Sequence, residues 1–165
     1  MIGKTILHGY VNATSEYSRI ISNNKHTRFR EIIECGAITR SLSISSNIPL
    51  TFNHDRIIAD GSDVRIYETK KGFRFTAMIS DKEVIIAGIQ GRLSGCSFTF
   101  KAVEDDIIPG RVTTRVIKDL ILLEISVLDY MPAYSSGVFV RGALEWGNFH
   151  KKIADTPRGE ISAFM

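Results

Sequence analysis

Three residues far apart in the sequence carry side chains that together could break an amide bond. Ser97, in GCSFTF, has a hydroxyl that becomes a nucleophile only if a base takes its proton. His54, in LTFNHD, ends a short apolar run and is a candidate for that base, since an imidazole can accept a proton from serine. Glu124, in LILLEISVL, is a carboxylate inside an apolar stretch, where a charge needs a partner. Serine, imidazole and carboxylate in that relation perform acyl transfer. Each also has a plainer reading: a serine on the outer face of a strand, a surface-loop histidine, and a glutamate that faces outward or pairs with an arginine. Cys96 offers a thiolate alternative to Ser97, but it alternates with Phe98 and Phe100 and is expected in the core. GCSFTF is not the G-x-S-x-G elbow, because Thr99 stands where the second glycine would be. His8, His26 and His150 compete with His54 but have no partner that the sequence identifies. No two histidines have the spacing of a metal pair and the two cysteines form no CxxC, so neither a metal nor any other cofactor is expected.

Positioning these groups requires strands. Lys4 to Ala13 is rich in strand formers, and a polar loop follows it. The stretch from Arg28 begins extended and is broken by Gly36, with a short helix over Ala37 to Leu42. Leu50 to Phe52 returns to strand. Val64 to Glu68 and Phe73 to Ile79 form a hairpin about Lys70-Lys71-Gly72. A helix capped by Ser80 or Asp81 carries Ile85, Ile86, Ile89 and Leu93 on one stripe and stops by Gly95. Glu124 should share neither face with Leu123 nor with Ile125. EDDIIPG reads as a turn between the Ser97 strand and a further strand, RVTTRVI, which leads into the Glu124 strand; SGVFVRG reads as a last one. Many strands and one or two helices point to a mostly β, α+β fold, a barrel or a sandwich. The core domain is expected over 1–144, with 145–165 a tail or arm, because the apolar alternation stops after Leu144.

The 165 residues suit one domain, and 44% hydrophobic with 24% charged residues is ordinary globular usage. A net charge of +3 without a dense basic run permits nucleic-acid binding but does not indicate it. Two cysteines make no disulfide framework, and the longest apolar stretch is too short for a bilayer. A soluble, intracellular protein is the expectation.

Taken in order, GYVNATSEYSRII, FREIIECGAITRSL, LTFNHD, GCSFTF and RVIKDLILLEISVLDYMPAY resemble the caudovirus prohead protease family, the head-maturation proteases of tailed phages. The resemblance runs from Gly9 to Arg141. Thr99 departs from it, standing where glycine is frequent. The resemblance implies an assemblin-like antiparallel β-barrel flanked by helices. It also implies Ser97 as nucleophile, His54 as general base and Glu124 as orienting acid. Arg115, on the strand leading into Glu124, is a candidate oxyanion donor. The implied substrates are the capsid protein with its scaffolding region, or a separate scaffold, and the chain itself, cut in trans inside the procapsid in the host cytoplasm. Homo-oligomers are allowed. A capsid-assembly or scaffold-binding module without activity is the alternative.

Overall fold

The computed structural model describes residues 3–22, 25 and 27–141. The tail expected over 145–165, its boundary at Leu144, and His26 and His150 lie outside the described residues. Strand makes up 52% of the structure, with two α-helices, so the fold is mostly β in the α+β class, as expected. The closed antiparallel barrel is not found. The strands form two sheets instead, and two of the pairings are parallel.

The first sheet has four strands. β1 (Thr5–Val11) lies between β10 (Ser136–Val140) and β7 (Gly72–Ile79), and β6 (Val64–Thr69) pairs with β7 as the expected hairpin. The second sheet is built around one long strand, β9 (Thr113–Leu128). The two segments read as separate strands on either side of Lys118 are this single element. β8 (Gly95–Ile108) runs antiparallel along one whole edge of β9. Glu104 to Asp106, expected in a turn, therefore belong to a strand, because their backbone groups find partners along β9. The other edge of β9 is divided. β3 (Arg28–Ile33) pairs with its first residues and β4 (Leu50–Phe52) with its last, both parallel, while β2 (Ile21–Ser22) and β5 (Arg56–Ala59) extend the sheet outward.

Between β3 and β4 the edge of β9 is covered by helix α1 (Ala37–Ile44). The Leu122 amide donates to Ser41 Oγ at 2.8 Å, so the gap in strand pairing does not leave that buried N–H unsatisfied. Glu68 on β6 accepts from the Gly36 and Thr39 amides and places a carboxylate at the positive end of α1. Helix α2 (Lys82–Ile89) is capped by Asp81, whose side chain accepts from the Val84 amide. It buries Val84, Ile85 and Ala87, while Ile86 and Ile89 are exposed, so the apolar stripe differs from the expected one. Gly88 interrupts the helical pattern for a packing reason: a Cβ there would lie 2.2 Å from Val140 Cγ2.

The two sheets share one apolar core. Leu7, Val11, Phe73, Phe75 and Ile79 from the first sheet belong to the same cluster as Leu50, Cys96, Phe98, Leu120, Leu122, Ile125 and Val127 from the second. The Phe73 and Phe98 rings meet edge to face at 5.2 Å, tying β7 to β8 beside Ser97.

Candidate active site

The site begins with strand alternation. On β8, Cys96 and Phe98 are buried, which turns Ser97 and Thr99 to the opposite face. Ser97 on β8 pairs directly with Ser126 on β9, and Ser126 pairs on its other side with Thr51 on β4. Laterally paired residues share a face, so Ser97, Ser126 and Thr51 form one polar row across three strands. The start of β8 is fixed by Ser136, whose Oγ accepts from the Cys96 amide at 3.0 Å. Gly95 makes room for that contact, since a Cβ there would lie 2.5 Å from Ser136 Oγ.

Glu124 reaches this face because β9 contains a bulge. Thr99 pairs with Glu124 and Phe100 with Leu122, so Leu123 has no partner on β8. Before the bulge the even-numbered Leu120 and Leu122 point inward; after it the odd-numbered Ile125 and Val127 do. Without the extra residue Glu124 would continue the inward set. With it, Glu124 turns to the polar row and Leu123 is left 49% exposed. Ile125 takes the opposite face from Glu124, as expected. Leu123 does not, because the bulge puts two consecutive side chains on the outside.

His54 is delivered by a strained turn between β4 and β5. Asn53 and His54 both have left-handed backbone conformations, with φ of 53° and 58°. The turn is held by the Asn53 amide on the Val127 carbonyl at 2.9 Å and by a two-way pairing of the Asn53 side chain with Asp129. The His54 amide donates to Ser126 Oγ at 2.8 Å, which places the histidine backbone over the lateral neighbour of Ser97. Left-handed residues in such a setting mark sites where geometry is imposed by the surroundings.

The ring then bonds Glu124: His54 Nδ1 lies 2.5 Å from Glu124 Oε1. Thr99 Oγ1 donates to the same oxygen at 2.9 Å, and Thr51 Oγ1 donates to Oε2 at 3.1 Å. Burial pushes the Glu124 carboxyl up, but the hydrogen bonds from His54, Thr99 and Thr51 outweigh it and hold the group below the usual carboxylate range. An ionised carboxylate only accepts, so Nδ1 carries the proton in this contact, the tautomer that in a neutral ring leaves the lone pair on Nε2. The imidazole shares an oxygen with Thr99, which is two residues from Ser97, about 7 Å along the strand. Ser97 Oγ is half-buried and makes no hydrogen bond among the described residues. Ser97 and Glu124 are thus on one face, with the His54 ring bonded to Glu124 there.

The other candidates lie elsewhere. Arg115 pairs with Ile107 on β8, eleven residues of β9 before Ser126. Its guanidinium is bound to Asp105 at 2.6 Å and to the buried Glu31 at 3.2 Å, and Tyr134 completes that cluster through Glu31. These bonds engage Arg115 in tying β3, β8 and β9 together, and none of them supports the oxyanion assignment. Cys96 is fully buried, and burial pushes its thiol up, so no thiolate is at hand. His8 lies in β1, in the other sheet. Sequence reasoning missed Thr51, Ser126 and the Asn53–Asp129 pairing. Their signal was the outward half of strand alternation in LTFN and LEIS, which says polar but does not say which polar groups meet.

A family model described as caudovirus prohead serine protease matches residues 2–142 of the chain. No curated protein matches it.

Proposed function

The chain belongs to the caudovirus prohead serine proteases, and from that premise we propose that Ser97 is its nucleophile, His54 its general base and Glu124 the acid that orients His54. The observation that carries this reading is the 2.5 Å contact between His54 Nδ1 and Glu124 Oε1 on the face that Ser97 shares. In this reading His54 Nε2 takes the Ser97 proton as Oγ attacks the scissile carbonyl, and returns it to the leaving amine. Water then releases the acyl group by the same route. Glu124 fixes the tautomer and offsets the imidazolium charge. The developing oxyanion needs donors from groups other than Arg115, each worth about 3–4 kcal/mol in such sites.

The substrates in this reading are the scaffolding region of the capsid protein or a separate scaffold, and the chain itself, inside the procapsid. Confinement with substrate raises effective concentration, so a shallow cleft suffices. Residues 145–165 are proposed as a tail that another copy can cut. Co-expression with capsid and scaffold tests the assignment, read by intact mass and by fluorophosphonate labelling. The wild type should process its substrates and label at Ser97, and Ser97→Ala should do neither. Processing or labelling that survives in Ser97→Ala would sink the assignment. A chain that binds scaffold yet never cuts it would favour the assembly module.

A further inference from the structure

The carboxylate of Glu124 is held by more than the histidine. A glutamate has three rotatable bonds, and this side chain is 20% exposed, so water competes for its oxygens. Two threonines remove that freedom, one from each strand flanking β9. Thr99 on β8 occupies Oε1 beside the His54 ring, and Thr51 on β4 occupies Oε2. Both posts are stiff, because β-branched side chains have few rotamers and both threonines lie in strands. The two strands pull on the carboxylate from opposite sides of β9.

We propose that Thr51 and Thr99 are positioning residues that clamp the Glu124 carboxylate, one oxygen each, so that Oε1 stays aimed at His54 Nδ1. This rests on the reading of Glu124 as the orienting acid. Thr99 is exposed, and an exposed strand threonine with no further role should tolerate loss of its hydroxyl. Thr51 is buried, and there valine keeps the shape while removing the donor.

The test uses the full chain and a fluorophosphonate probe, with the maximal inactivation rate and the probe affinity measured separately. Thr99→Val should slow the maximal rate about tenfold, the loss expected for one hydrogen bond to a charged group. Thr51→Val/Thr99→Val should slow it further, with probe affinity unchanged within about twofold and recovery on Thr99→Ser. In a Ser97→Ala background, the low-field proton signal of His54 Nδ1–H should be sharp and should broaden into water exchange in the double valine variant. Glu124→Gln runs alongside to separate the two ideas. If Glu124→Gln is at least about a hundredfold slower while Thr99→Val keeps its rate and its proton signal, the clamp is wrong and the acid stands. If Glu124→Gln itself labels at the wild-type rate, the orienting role falls and the clamp falls with it.

Discussion

Replacing Ser126 by alanine removes one oxygen that touches neither substrate nor carboxylate, yet the geometry gives it a measurable role. Its Oγ accepts the His54 amide at 2.8 Å in a fully buried position. Two consecutive left-handed residues, Asn53 and His54, cost about 1–2 kcal/mol each relative to relaxed backbone. The turn is stable because its hydrogen bonds offset that cost. An amide left without its acceptor costs about 1–3 kcal/mol, comparable to the strain it was offsetting. In Ser126→Ala the turn should therefore populate relaxed conformations in which His54 no longer meets Glu124. A shift of about 1–2 kcal/mol corresponds to roughly a 5- to 30-fold slower reaction at Ser97. The assay is the maximal rate of fluorophosphonate labelling, with the urea midpoint measured on the same protein. Stability should fall by a similar small amount and labelling should slow within that range. A folded Ser126→Ala protein that labels within twofold of wild type would refute the view that this bond holds the base in place.

Two further outcomes follow from groups away from the site. Arg115→Met should leave the labelling rate of Ser97 unchanged, but it should cost about 3 kcal/mol in denaturant unfolding, because Glu31 is buried and loses its cation; a large loss of rate at unchanged stability would restore Arg115 to the chemistry. His8 is lowered from 6.5 to about 4, first by burial and then by the nearby Arg141 charge. Between those values the unfolded chain takes up a proton that the folded chain refuses. Stability is therefore full above pH 6.5 and declines as pH falls towards about 4, by about 3 kcal/mol in all, and a folded His8→Gln protein should lose less over that window.

Much of this was legible in the sequence where burial has a period. The alternation CSFTF put Cys96 in the core and turned Ser97 out of it, and the Asp81 cap began α2 where expected. Legibility failed where a partner, and not a pattern, decides. EDDIIPG reads as a turn by composition, but a 16-residue β9 pairs with its first five residues and draws them into β8, leaving only Pro109 and Gly110 of it outside the strand. No closed barrel is found; β3 and β4 divide one edge of β9, with α1 filling the gap between them. Arg115 is near Glu124 in sequence, but its guanidinium is engaged by Asp105 and Glu31, partners on other strands that no spacing reveals. The donors around Glu124 were unreadable because Thr51, Thr99 and His54 reach it from different strands or turns.

The bulge at Leu123 turns a glutamate out of an otherwise apolar strand. A strand whose inward set is even-numbered before the bulge and odd-numbered after it presents its glutamate outward only because one residue is unpaired. Burying that charge in the core without partners would cost several kcal/mol, so the straight register would be disfavoured in this chain for stability alone. The bulged register resolves that conflict by placing the carboxylate between two threonines and a histidine, where three hydrogen bonds hold it ionised. The apolar run around Glu124 is then explained twice over: Leu120, Leu122, Ile125 and Val127 keep β9 in the core on both sides, and that fixed strand holds the carboxylate still. An acid in an apolar strand is a cost to folding until the register turns it outward, and the same register makes it available to the His54 ring.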